Sequence, residues 1–359
     1  APARGFRLSE EDESRLHSAA DLILQAYAHG TRYRIGMDED GLLKCGEPGT
    51  QLTWMDAKIG NHTVTGRIGK PVEVQALWLN ALHAARAWSP NWKVYFEQAL
   101  SSFVNRFWNE EAQCLYDVID VDHQPGVCDD AIRPNQIFAV GGLPLTLLGE
   151  QRARHVVDRV EQDLWTPLGL RTLSPRSPEY RGTYAGDRRS RDESYHQGTA
   201  WPWLLGPFVE AWVRVRQRSD EAKREARERF VTPLRQHLQV GGLGHIGEIF
   251  DGDAPNARGT PFQAWSLGEL LRIEREILGE PVAGKSAPSE PKKTPAQRPE
   301  ARKSQPEPME AMSAAAPATT TAKSEPVKAA KPKPASNAPA AAPSMSKTNP
   351  KRTGAKKNR

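Results

Sequence analysis

The sequence predicts an all-α protein, an α/α toroid or bundle with a single face built from long loops. Three observations predict it. Apolar residues recur at spacings of three and four, as in Val74, Leu77, Trp78, Ala81, Ala85 and Trp88, and again in Phe96, Leu100, Phe103 and Phe107. Alternating strand patterns are scarce. The connections alternate between one or two residues and long polar segments near 30–70, 109–133, 165–196 and 241–259. A tight link returns an antiparallel partner, so the long links must gather at one end. Loops of that length inside a compact domain usually carry function.

The elements follow in order. Ser9 caps a helix over 10–29 whose first turn is acidic. Helices then fall near 71–88, 90–108, 134–148, 149–164 and 197–217. The seventh, 219–240, carries Pro233, which should kink or split it, and ends at Gly241-Gly242. Thr260-Pro261 opens the eighth, 260–279. Beyond it, residues 280–359 read as a disordered basic tail rich in Lys, Ala and Pro. That tail has sixteen Lys/Arg against six Asp/Glu and none of the 26 Trp, Tyr or Phe residues.

Residues 1–279 keep 33 basic and 38 acidic side chains, so the net charge of +5 is a property of the tail. A folded part with a formal charge of −5 lacks the basic surplus that phosphate neutralisation requires. Nucleic-acid contact is therefore expected only through the tail, and nonspecifically. Three cysteines without a CxxC pair suit a reducing compartment, and cytoplasmic location is expected. No run approaches the roughly 18–20 apolar residues of a membrane span. The chain starts without Met in an acidic stretch, as an internal position of a longer protein would.

The loops hold the candidate chemistry. In the first, Asp56 follows Trp54 and Met55, and this apolar approach would raise a carboxyl pKa by desolvation, as a general acid needs. An Asp in a loop is also an ordinary turn residue or cap. The third loop brings Tyr195, His196, Gln197, Trp201 and Trp203 together, and aromatic faces beside amide and imidazole donors are how proteins grip sugar rings. The same residues also read as a helix N-terminus packed by its own aromatics. The fourth loop places Glu248 after a glycine-rich turn, and two carboxylates on one face are the minimum equipment of glycoside hydrolysis. Gly242 to Gly247 match G-x-G-x-x-G by chance, since no βαβ setting surrounds them. Cys128-Asp129-Asp130 with His123 fits no metal-ligand spacing, and no metal or organic cofactor is expected.

CGEPGTQLTWMDAKIG with RIGKPVEVQALWLNAL, IRPNQIFAV, GLRTLSPRSPEYRGTYAGD with SYHQGTAWPWLLGPF, and GHIGEIFDGDAP with AWSLGELLR stand in this order. Together they resemble the C-terminal catalytic domain of bacterial and archaeal glycogen debranching enzymes, amylo-α-1,6-glucosidases. The resemblance implies an (α/α)6 six-hairpin barrel, here partial with about eight of twelve helices. It implies that Asp56 is similar to the general acid and Glu248 to the general base of an inverting hydrolysis of α-1,6-linked glucose at branch points. It places Glu47, Trp54, Arg67, Tyr195, His196, Gln197 and Trp201 in motifs that line the sugar pocket. An α-glucan such as glycogen or limit dextrin is the substrate it implies, and a partner polypeptide would supply the missing helices. The competing expectation is a catalytically incomplete α-glucan-binding or scaffold fragment.

Overall fold

The computed structural model describes residues 8–241 and 243–279. The helical class dominates, as the sequence predicts. Among the described residues there are nine α-helices: α1 Glu10–His29, α2 Val72–Ala85, α3 Asn91–Arg106, α4 Glu150–Leu164, α5 Arg188–Ser194, α6 Leu205–Arg214, α7 Asp220–Ala226, α8 Thr232–Val240 and α9 Ala264–Arg272. Ser9 accepts the Asp12 N–H as predicted, and Gly30 ends α1 at φ 103°. In α4 the buried set is Ala153, Val156, Val157, Val160 and Leu164, one helical stripe against the core. That core is continuous from Leu42 through Phe103, Phe208 and Trp212 to Ile277.

Three elements depart from expectation, each for a local reason. The helix expected over 134–148 is only a 3₁₀ segment, Pro134–Ala139. A Cβ on Gly141 would stand 2.3 Å from the Pro207 carbonyl oxygen, so the backbone here lies flat on α6 and cannot wind further. The sixth helix starts at Leu205 rather than 197, because Ala200–Trp201 is spent on a strand and Pro202 begins a 3₁₀ turn. The last starts at Ala264 rather than 260, since the backbone is still extended at Gln263, φ −126° and ψ 114°. Pro233 acts as predicted: a π segment, Arg227–Val231, separates α7 from α8.

The loops contain α5 and 14 antiparallel strands of two or three residues, which are too short for a period-two pattern to register in sequence. Five of them form one sheet in the order Trp165–Thr166, Gly169–Arg171, Ala200–Trp201, Ile249–Phe250, Ala257–Arg258. Leu170 pairs with Trp201 and Ala200 with Phe250, so the third and fourth long loops are joined by backbone hydrogen bonds.

The predicted tail, 280–359, lies outside the described residues.

Candidate active site

Side chains from all four long loops converge. Tyr195 follows α5, and its hydroxyl donates to Glu248 Oε1 at 2.6 Å. Glu248 precedes the strand Ile249–Phe250 and is half-buried. Its Oε2 accepts the Thr260 N–H at 2.9 Å and the Thr260 hydroxyl at 3.3 Å, and the Gln263 amide lies 3.5 Å from Oε1. Gly259 turns this corner at φ 66°, where a Cβ would come within 2.3 Å of Oε2. Only glycine leaves room for the carboxylate in that seat.

Asp56 enters from the first loop, whose strand Lys58–Ile59 packs against α5. Met55 and Ala57 are buried on either side of it while Asp56 is exposed, so the apolar approach does not enclose the carboxylate as the sequence suggests. The reason is period-two alternation: in extended chain, residue 56 points opposite to 55 and 57. The Asp56 charge is felt at the Tyr195 hydroxyl that bonds Glu248. Burial first, then Glu248 and Tyr184, and then Asp56 push the Tyr195 hydroxyl above its ordinary value, which keeps it a donor.

An aromatic layer lies beneath. Trp54 meets His196, Trp201 and Trp203 edge to face, with ring centroids 5.2, 5.5 and 5.2 Å apart, and donates its indole N–H to Asn135 at 2.8 Å. His196 is 1% exposed, stacks on Trp201, and has neither ring nitrogen hydrogen-bonded. Burial, then the Arg133 and Arg67 charges, hold its pKa at about 3. Trp201 is also buried, its N–H taken by the Tyr195 carbonyl and the Thr199 hydroxyl, so it supports the site from within instead of offering a ring face. Trp203 is half-buried and stacks on the exposed Trp265 at 5.0 Å. Trp265 is an aromatic that the loop-by-loop reading passed over, because it stands inside α9.

Arg67 departs from the sugar-lining role that the motif implies. Its Nε donates to Asp117 at 2.7 Å and its two terminal nitrogens to Glu73, all buried. Burial alone would lower this guanidinium, but Asp117 and Glu73 outweigh it and raise its pKa. A guanidinium paired with two buried carboxylates in this way braces the site. Gln197 is similarly engaged, accepting Arg133 at 2.6 Å and donating to Glu179 at 3.3 Å. Glu47 is half-buried in the first loop, its backbone held by the Thr50 hydroxyl. Arg133 and Asn135 were missed as site-builders. Arg133 ties together the His196 carbonyl, the Thr172 carbonyl and Gln197 from the end of the second loop.

Two carboxylates on one loop-built face, one seated by fixed donors and one open to solvent, are suited to acid–base hydrolysis. Comparison with known proteins agrees in class. A profile of the family described as amylo-alpha-1,6-glucosidase matches residues 10–272. The chain belongs to this family. That description is of a glycoside hydrolase family. The glycogen debranching enzyme of Saccharomyces cerevisiae is 31% identical over 165 residues, 40% of this chain and 11% of the yeast protein. The match thus spans about a tenth of that relative. Among solved structures, the GH63 mannosylglycerate hydrolase of Thermus thermophilus in complex with glucose is 16% identical, covering 56% of this chain and 47% of that one at a TM-score of 0.41. The same enzyme with Tris and D-glycerate gives 15%, 56%, 46% and 0.40.

Proposed function

We propose that this chain removes α-1,6-linked glucose from branch points of glycogen or a related α-glucan. The observation that carries the reading is the seating of Glu248 by Tyr195 and Thr260 on the face that also holds Asp56. Asp56, open to solvent, gives a proton to the glycosidic oxygen as the C1–O bond breaks. Glu248 takes a proton from water, whose oxygen bonds to C1 from the opposite side. An inverting course releases β-glucose from an α-linkage. Half-buried Trp54 and Trp203 and exposed Trp265 present ring surface for pyranose C–H faces. Such chemistry needs carboxylates and water alone, and debranching of stored glucan belongs in the cytoplasm.

A partner polypeptide is part of this proposal. On α1 only Leu24 is buried, while Leu16, Ile23 and Tyr27 form an exposed stripe. Between α8 and α9 lies a groove of about 740 Å³ whose lining includes Leu238, Leu267 and Leu271, together with Arg235, Gln239 and Glu274. Apolar surfaces of this kind are normally covered, and helices packed there would complete the barrel. These bare faces also favour the second reading, a glucan-binding fragment that is inactive until completed.

The test is glucose release from phosphorylase-limit glycogen, with ¹H NMR of the first anomer formed. The first reading expects β-glucose, and expects Asp56→Asn and Glu248→Gln each to abolish release with far-UV CD unchanged. Release by either variant rejects the assignment. Glucan binding without release by the folded wild type favours the second reading.

A further inference from the structure

We infer that Tyr195 is a positioning residue for Glu248, not a sugar contact, and that Oε1 is the oxygen that receives the proton of the attacking water. The inference rests on the reading of Glu248 as the base and adds which atom acts and what holds it.

A carboxylate oxygen has two lone-pair directions. Both of those on Oε2 are taken, by the N–H and the hydroxyl of Thr260, and the Gly259 backbone closes over the same atom. Oε1 has one firm donor, the Tyr195 hydroxyl at 2.6 Å. Among the described residues the only other approach is the Gln263 amide at 3.5 Å, the outer limit of a hydrogen bond. One direction on Oε1 therefore stays open to water.

Tyr195 is itself fixed. Its carbonyl accepts the Thr199 hydroxyl at 2.6 Å and the Trp201 N–H at 3.2 Å. Its ring is packed among His196, Trp201 and Tyr184, with centroids 4.7, 5.0 and 5.7 Å away. Tyr195 is half-buried, and these tilted and edge-on contacts, with its hydroxyl committed to Glu248, fix the direction in which that hydroxyl points. Buried Trp201 thus reaches the base through Tyr195, which gives the aromatic layer a task apart from gripping substrate.

The experiment compares Tyr195→Phe with wild type in the full chain, measuring kcat and KM on phosphorylase-limit glycogen across pH and affinity for a limit dextrin by calorimetry. The expected result is a fall in kcat of about tenfold or more, with KM and dextrin affinity within about twofold. The acidic limb of the pH profile moves to higher pH, because a lost donor favours protonation of the base. A rise in KM or a tenfold loss of dextrin affinity, with kcat and the pH limb unmoved, overturns the inference and restores Tyr195 as a sugar contact. Activity retained by Glu248→Gln overturns the reading of the base itself, which is a separate failure. Should no form turn over, the dextrin affinities and the Tyr195 hydroxyl proton resonance decide. A protected resonance that moves in Glu248→Gln, with affinity unchanged in Tyr195→Phe, supports the inference, and a resonance indifferent to Glu248→Gln overturns it.

Discussion

Arg67 and Asp117 face each other through two hydrogen bonds, Nε to Oδ2 at 2.7 Å and Nη2 to Oδ1 at 3.1 Å, and both side chains are almost wholly buried. Asp117 in turn accepts the Asn135 amide at 2.8 Å, and Asn135 accepts the Trp54 indole. The aromatic layer is thereby anchored to a buried ion cluster.

Arg67→Met would leave Glu73 buried without a countercharge and Asp117 with only Arg133, 3.8 Å away. The expected loss is about 3–5 kcal/mol, read as a lower urea midpoint. Arg67→Lys should recover only part of it, since an ammonium cannot make the paired fork. A midpoint within experimental error of wild type in Arg67→Met would show that the cluster does not hold the fold.

Gly259→Ala places a methyl group where Glu248 Oε2 sits, at a positive φ that alanine resists. The outcome expected is loss of at least about a hundredfold in kcat, with far-UV CD intact and only a modest drop in thermal midpoint. Unchanged kcat would mean that the seat of the carboxylate is not needed for turnover.

Acid should weaken the fold in two windows. His196 has a folded pKa of about 3 against an ordinary 6.5, so its contribution is complete above about pH 6.5 and falls away toward pH 3. The slope is about 1.4 kcal/mol per pH unit. Burial pushes the Asp38 carboxyl up, but Lys44 and Lys70 outweigh it and bring it from 3.8 to about 2. That contribution is present above pH 3.8 and lost as pH falls through about 2. Urea midpoints from pH 7 to pH 2 should show both declines. His196→Phe should flatten the first and Asp38→Asn the second, and a variant that leaves its slope untouched removes that residue from the account.

Much of this was legible in sequence because it rests on long-range periodicity and on turn chemistry. Ser9 and Pro233 act through local backbone geometry, and each does what was expected of it. The gathering of the loops followed from connection lengths alone, and Trp54, Arg133, Tyr195 and Glu248 do come from four successive loops. What sequence could not yield was pairing at a distance. Arg67 is a donor of unspecified use until Glu73 and Asp117 are seen beside it. Asp56 looked enclosed because its neighbours are apolar, while the direction of its side chain depends on alternation along an extended strand. Trp201 looked like a platform, and only its buried N–H contacts show it to be a support.

The five-stranded sheet has a kinetic consequence. Because Leu170 pairs with Trp201 and Ala200 with Phe250, opening any one strand frees amides on its neighbours. Segments near 170, 200 and 250 should therefore exchange their amide hydrogens with deuterium as one cooperative unit. Insertions that an isolated surface loop would absorb are constrained here, since lengthening one loop shifts the register of the next. The third and fourth loops, which hold Tyr195 and Glu248, are thus bound into one laminate whose parts vary together.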